Sequence, residues 1–187
     1  MATRFPWTSF CRAWKPRGKP ASPYSSVPLL LARIDDRLIH GQVVHGWGGP
    51  LRPTWIGIVS DPLRADPRRA DLYLFAAPEG ARAAALSVSK ALLPSTLATI
   101  EAERSFLLFP GPEEPLRLKQ GGFPLVEVNV GGLHHAEGKV EVLPYIHVSS
   151  AEREALLALE RLGVRLTAQD LPTNPARNLA PLLGGAA

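Results

Sequence analysis

Short apolar runs that fit buried β-strands recur along the chain, with helical patterns between them. Trp55–Val59 and Phe106–Phe109 are almost continuously apolar, which is typical of strands covered on both faces. The predicted strands are Leu29–Ile34, Thr54–Ser60, Ser105–Phe109, Leu125–Val130, Tyr145–Val148 and Val164–Ala168. The predicted helices or partial helices are His40–Trp47, Pro67–Phe75, Ala81–Leu92 and Ala151–Leu162. This alternation favours an α/β fold with a mainly parallel sheet covered by helices.

Ala151–Leu162 has the clearest helical pattern. Ser149 and Glu152 have the spacing of a capping box, and Gly163 supplies a C-terminal stop. Leucines recur on one face between these two signals. The sequence therefore predicts both ends of this helix as well as its buried side.

Length and cysteine content limit the class of protein. The 187 residues fit one domain with a core that needs no metal or disulfide. Cys11 is the only cysteine, so no intramolecular disulfide can form, and a reducing compartment is expected. No segment approaches the roughly 20 apolar residues of a membrane-spanning helix.

The positive charge of the chain is concentrated at its start. Residues 1–27 hold five of the 21 basic residues and no acidic residue, which leaves 16 basic against 17 acidic residues in the remainder. This Pro/Ser-rich stretch shows no helical or strand pattern, so we expect a disordered extension before a domain at 28–187. It is either a leader or start-site artefact, which we favour, or a basic arm for anionic lipid or nucleic acid.

His40 lies where chemistry is expected in an α/β protein. It follows the first predicted strand and precedes the first helix, with Arg33 and Arg37 just upstream. Free N–H groups at a helix start and nearby arginines attract anions and repel cations. The setting suits a histidine that handles a phosphoryl group better than one that binds a metal. The alternative is a solvated surface histidine.

The residues from Arg33 to Val43, RIDDRLIHGQV, resemble the active-site segment of a known family. That family is the IIB component of the mannose/fructose/sorbose family of the bacterial phosphoenolpyruvate-dependent sugar phosphotransferase system. Further matching segments follow in the family's order, namely Trp47, Ile56–Asp61, Ala76–Gly80, Leu107–Phe109, Glu127–Leu133, Leu162–Leu166 and Leu171–Pro175. The resemblance covers nearly all of the chain after its start. It implies an open, mainly parallel β-sheet with helices on both faces.

The resemblance also implies a role for His40. The histidine of this segment is phosphorylated in the family, and a neutral imidazole is a competent nucleophile near neutral pH. We expect Arg37 to stabilise the phosphate, with backbone N–H groups near Gly41 and Gln42. Asp35 and Asp36 are expected to orient the loop, because their charges would repel phosphate.

Partners follow from the same resemblance. His40 would accept a phosphoryl group from a IIA phosphocarrier protein or domain and pass it to a sugar bound by the IIC/IID membrane components. This predicts a phosphotransferase without metal or organic cofactor, cytoplasmic and peripherally associated with the membrane through its partners, and possibly a homo-oligomer. The alternative is a regulatory, phosphorylation-dependent binding protein with the IIB fold and no transport role.

Two other readings are weaker. His134 and His135 are adjacent but lack a cysteine partner or helical histidine spacing, so a metal site is not favoured and a loop at the sheet edge is. The domain shows no basic stripe with interleaved aromatics, so no nucleic-acid partner is expected.

Ser60–Asp61 and Gly131–Gly132 fall at predicted strand ends, where they either border the His40 crevice or serve only as turns.

Overall fold

A seven-stranded sheet forms the centre of the molecule. The computed structural model describes residues 29–184, and the extension predicted at 1–27 lies outside them. The strands are β1 Leu29–Asp35, β2 Trp55–Val59, β3 Arg82–Leu86, β4 Ser105–Phe109, β5 Glu127–Gly132, β6 Val140–Leu143, β7 Ile146–Val148, β8 Arg165–Ala168 and β9 Arg177–Asn178. Seven of them form a sheet in the order β3-β2-β4-β1-β5-β8-β9, while β6 and β7 form a separate hairpin. Only the β8–β9 pair of the large sheet is antiparallel.

Helices cover both faces of this sheet. They are a π-helix at Gln42–Trp47, α1 Gly48–Leu51, α2 Asp61–Ala65, α3 Pro67–Leu74, α4 Val88–Ala91, α5 Pro94–Ala102, α6 Glu113–Gln120, α7 Ser150–Arg161 and α8 Ala180–Gly184. One core cluster joins the sheet to the π-helix, α2 and α3, and the other joins it to α4 through α8. Neighbouring residues of one strand enter opposite clusters, as Phe106 and Leu107 do. The predicted fold class is therefore confirmed.

Most predicted elements are found within one or two residues of their expected bounds. The capping box of α7 is formed as predicted, with Ser149 Oγ accepting from Glu152 N at 3.2 Å and Glu152 Oε2 accepting from Ser149 N at 2.8 Å. Gly163 has φ +80, which satisfies the predicted C-terminal stop. The predicted elements did not include helices α1, α2, α5, α6 and α8 or strands β6 and β9.

The predicted helix at Ala81–Leu92 was wrong. Residues Arg82–Leu86 form β3, the edge strand paired with β2, and Ser87 then caps the short helix α4. The alanines of this stretch have the highest helix propensity, which is why the pattern favoured a helix. Pairing with the apolar strand β2 outweighs that preference, because propensity is a weak term beside tertiary burial.

The first helix also ends later than predicted. Glycines at 46, 48 and 49 suggested an abrupt end near Trp47, yet the π-helix continues into α1 and stops at Arg52, whose φ is +46. Gly46 packs closely against the Leu171 side chain. A Cβ there would lie 2.6 Å from Leu171 Cδ2.

The order of the strands creates a crevice beside β1. Connections leaving β1 and β2 run toward the β3 edge, whereas those leaving β3, β4 and β5 run toward the other edge. The connections that follow the neighbouring strands β1 and β4 therefore run in opposite directions. In open α/β sheets, ligands bind at such a point, outside the carboxyl ends of the strands. The loop that carries His40 leaves from there.

Candidate functional site

The loop from Asp35 to His40 is a tight turn held by its own first residue. Asp35 O accepts from Leu38 N at 2.9 Å, and Asp35 Oδ1 accepts from Arg37 N at 3.2 Å. Leu38 has φ +54, an unfavourable conformation for a leucine, but its side chain is buried. Burial of Leu38 and the two bonds to Asp35 offset this strain.

Arg33 is fully buried beneath the loop and does not face the solvent. Its Nη2 and Nε donate to Asp35 Oδ2 at 2.8 and 3.2 Å, and its Nη1 donates to Asn129 Oδ1 at 2.6 Å and to Gln169 O at 2.9 Å. Burial lowers the pKa of Arg33 from its usual value, and the Asp35 carboxylate opposes that shift. Arg33, which was expected to add positive charge near His40, is present beneath the loop, but Asp35 balances its charge.

Two further contacts close the pocket around Arg33. The Arg33 Cζ atom lies 5.6 Å from the centre of the Trp47 ring, within the range of a cation–π interaction. A Cβ on Gly131 would fall 1.7 Å from Arg33 Cζ, so only glycine fits there. Trp47 Nε1 in turn donates to Asp170 O at 3.0 Å. The end of the π-helix, the end of β5 and the loop after β8 thus meet at one guanidinium.

The His40 ring is partly buried and lies between three oxygen acceptors. Nδ1 is 3.0 Å from Leu38 O, while Nε2 is 3.4 Å from Gln42 Oε1 and 3.7 Å from Asp35 Oδ2. A neutral imidazole carries one N–H, so it can donate on one side only. The other ring nitrogen keeps its lone pair. The ring therefore combines a fixed orientation with one nitrogen able to act as a nucleophile.

Arg37 and Gln42 lie on the same side of the loop as this ring. Arg37 Nη2 donates to Gln42 Oε1 at 3.1 Å, the same oxygen that faces His40 Nε2. The Arg37 side chain is 46% exposed, and its Nε lies 3.9 Å from Asp35 Oδ1. Gly41 is exposed with helical φ and ψ just before the π-helix, and no atom lies within 4 Å of where its Cβ would be. The structure thus brings together the predicted residues Asp35, Arg37, Gly41 and Gln42 around His40.

Asp36 points away from this group toward the segment after β5. Its carboxylate accepts from His134 N at 2.8 Å and lies 2.6 Å from His134 Nδ1. Asp36 N donates to Gly132 O at 3.1 Å. His134 and His135 lie in the loop after β5, as predicted. Among residues 29–184 no three side chains of metal-binding type gather closely enough to hold a metal ion.

A cleft of about 170 Å³ lies at the carboxyl ends of the strands, next to the loop. Asp36, Leu38, Ser60 and Glu114 are among its lining residues, and His40 is not. Ser60 mainly caps α2, since its Oγ accepts from Leu63 N at 3.3 Å. Burial, with a smaller contribution from the neighbouring Glu113 and Asp61 carboxylates, raises the pKa of Glu114 to about 7. Sequence reasoning missed Glu114, which resembles any exposed acid at a helix start.

Comparisons with known proteins agree with this geometry. The family model described as "PTS system sorbose subfamily IIB component" matches residues 29–187. This chain belongs to that family. The crystal structure of the IIBSor domain of the sorbose permease from Klebsiella pneumoniae is similar, with a TM-score of 0.78 and 30% identity, covering 85% of this chain and 98% of that one.

Curated relatives carry matching names. The sorbose-specific EIIB component of Lacticaseibacillus casei is 34% identical over 151 residues, 81% of this chain and 92% of that protein. The mannose-specific EIIAB component of Escherichia coli K12 is 35% identical over 165 residues, 88% of this chain. The chain spans about half of that longer relative, 51% of its length.

The family predicted from the sequence is therefore confirmed, and so is the predicted class, a phosphotransferase component of the IIB type. The alternative of a regulatory protein is not favoured, because the relatives are named as EIIB components of sugar systems. No helix among the described residues is long and apolar enough to cross a membrane.

Proposed function

We propose that this IIB chain is a phosphocarrier in which His40 accepts a phosphoryl group from the phosphohistidine of a IIA protein or domain. His40 then passes the group to a sugar bound by IIC/IID membrane components. The main support for the proposal is the environment of the His40 ring, which lies at the mouth of the crevice between β1 and β4. Oxygen acceptors on both sides orient the ring.

The transfer needs no group beyond these side chains. The lone pair of one His40 nitrogen attacks phosphorus, a new N–P bond forms, and the N–P bond of the donor imidazole breaks. The phosphorylated ring then carries positive charge on its remaining N–H. Whichever nitrogen attacks, the other faces an acceptor, either Leu38 O or the oxygens of Gln42 and Asp35. If Nδ1 attacks, the Asp35 carboxylate, which Arg33 holds in place, faces the remaining N–H of the cationic ring.

Arg37 is the side chain best placed to neutralise the phosphate oxygens. Phosphoryl transfer depends mainly on positioning and on neutralising the charge spread over the three equatorial oxygens. The guanidinium of Arg37 is half-exposed and shares Gln42 Oε1 with the His40 ring, so a short rotation would bring it to the phosphoryl group. Backbone N–H groups at Gly41 and Gln42, where the helix begins, supply further donors.

The proposal is tested by transfer of label from phosphoenolpyruvate through enzyme I, HPr and a cognate IIA protein. Wild type should take up acid-labile label. So should His45→Ala, which removes an exposed histidine of the π-helix that follows His40. His40→Ala should take up none, and Arg37→Ala should be slower by about 10-fold or more, the effect of losing one charged hydrogen-bond donor. Equal labelling of His40→Ala and wild type would refute the assignment.

A further inference from the structure

Three contacts join Asp36 in the His40 loop to the end of the neighbouring strand β5 and the loop after it. Its N–H donates to Gly132 O at 3.1 Å, and its two carboxylate oxygens face His134 N at 2.8 Å and His134 Nδ1 at 2.6 Å. Asp36 and His134 are 98 residues apart in the chain. Both the backbone and the side chain of Asp36 are therefore fixed by the segment after β5, four residues before His40.

The His134 side chain is suited to a local role rather than to holding the fold together. It is 55% exposed and the Asp36 side chain is 30% exposed, so solvent screens the ion pair and its contribution to overall stability is small. The loop itself contains a strained residue, since Leu38 has φ +54. A weak contact can still decide how large a fraction of molecules hold such a loop in one conformation.

We propose that His134 is a positioning residue that holds Asp36 and, through it, the His40 loop in the conformation that receives the phosphoryl group. This inference rests on the proposed function of His40. His134 does not touch the reacting atoms, because its imidazole is engaged with Asp36 Oδ1. Its effect passes through Asp36 to the turn that begins at Asp35.

The neighbouring histidine provides a matched control. His135 is exposed, and its ring packs edge-on against His147 with 5.3 Å between the ring centres. His134→Ala removes the Nδ1 contact but keeps the backbone N–H bond to Asp36. His134→Asn restores a neutral donor at nearly the same position, so it separates the hydrogen bond from the size and charge of the imidazole.

The test combines transfer kinetics with amide hydrogen exchange on the full chain. With phosphorylated IIA as donor, His134→Ala should raise KM about two- to fivefold at unchanged kcat, because the donor binds only the fraction of molecules whose loop is in place. His134→Asn should recover most of this loss and His135→Ala should match wild type. The amides of Asp36 and Leu38, which donate to Gly132 O and Asp35 O, should exchange faster in His134→Ala alone.

The two readouts separate this inference from the proposed function. Suppose that wild type takes up label and that His134→Ala and His135→Ala have the same KM and the same exchange rates. This result would overturn the positioning role of His134 and leave the proposed function of His40 standing. If wild type takes up no label, the proposed function fails, and the exchange rates of Asp36 and Leu38 alone decide whether His134 holds the loop.

Discussion

Arg33 organises the site at the scale of single residues. A buried guanidinium is tolerated only where its donors are satisfied, and here Asp35, Asn129 and Gln169 satisfy them. The same contacts fix Asp35, the residue from which the His40 loop turns. A buried charge therefore determines where His40, the proposed nucleophile, lies.

Gly131→Ala tests this arrangement. The new Cβ would lie within 2.0 Å of Arg33 atoms, so the guanidinium must leave its partners or β5 must shift. We expect the free energy of unfolding to fall by about 2–4 kcal/mol in urea denaturation, the range for overpacking and for disrupting a buried ion pair. Gly184→Ala, at an exposed helical position where nothing lies within 4 Å, is the control and should be neutral or slightly stabilising. An equal response of the two variants would contradict the role given to Arg33.

Glu114 gives the chain a stability term that depends on pH. The unfolded chain has the ordinary carboxyl pKa of 4.5, and the folded state has about 7, so between these values the folded state holds more protons. The stabilisation is complete below the lower value and is lost as the pH rises through the higher one. It is at most about 3 kcal/mol at about 1.4 kcal/mol per pKa unit, and less where solvent reaches the group.

The free energy of unfolding measured from pH 4 to pH 8 checks this term. Glu114→Gln should lose the decline between the two pKa values and should be more stable than wild type at pH 8. Glu101→Gln, at an exposed position of α5, is the control and should keep the wild-type profile. A wild-type decline that persists in Glu114→Gln would assign it to another group.

The sequence singles out His40 as the proposed nucleophile but does not reveal its surroundings. His40 and its flanking residues lie within one short motif, so local pattern and family resemblance suffice to single them out. Arg33 belongs to the same motif, yet its burial depends on Asn129 and Gln169, which are 96 and 136 residues away. The order of the strands likewise brings Glu114 and His134 close to the loop that carries His40. Contacts of that separation leave no local pattern in a single sequence.

At the scale of elements, local signals predicted the two ends of α7 but not the edge strand β3. The capping box and the C-terminal stop of α7 depend on residues that are close together in the sequence, and both are present in the structure. The edge strand β3 is alanine-rich and has no strand-like alternation, so its state is decided by β2 beside it. The short helices α2 and α4 depend on caps at Ser60 and Ser87, which are visible in the sequence only when the strand before each is known to end there.

Ser149→Ala measures what the cap of α7 contributes. Loss of the Oγ bond to Glu152 N leaves an N–H of the first turn without its partner, and about 1 kcal/mol of stability should be lost. Thermal or urea denaturation reports the change. Ser150→Ala removes the next, exposed hydroxyl and should stay within about 0.5 kcal/mol of wild type. A loss as large in Ser150→Ala would show that the cap is not responsible.

For the whole molecule, strand order connects the fold to the proposed chemistry. The connections leaving the parallel neighbours β1 and β4 run in opposite directions, which opens the crevice. Asn129 in β5 and Gln169, the residue after β8, hold Arg33 in place beneath the loop. The alternation of strands and helices in the sequence predicts the fold class, but it does not predict this order. The family resemblance supplies what the pattern leaves open, and the similarity to the Klebsiella pneumoniae IIBSor domain agrees with it.

The most direct test of the account is to map the phosphorylated residue. The chain would be phosphorylated through a cognate IIA protein, digested under alkaline conditions that preserve phosphohistidine, and analysed by mass spectrometry. The account predicts one phosphorylated peptide, with the phosphoryl group on His40 and none on His45, His134, His135 or His147. A phosphoryl group on any of these four in place of His40 would contradict it.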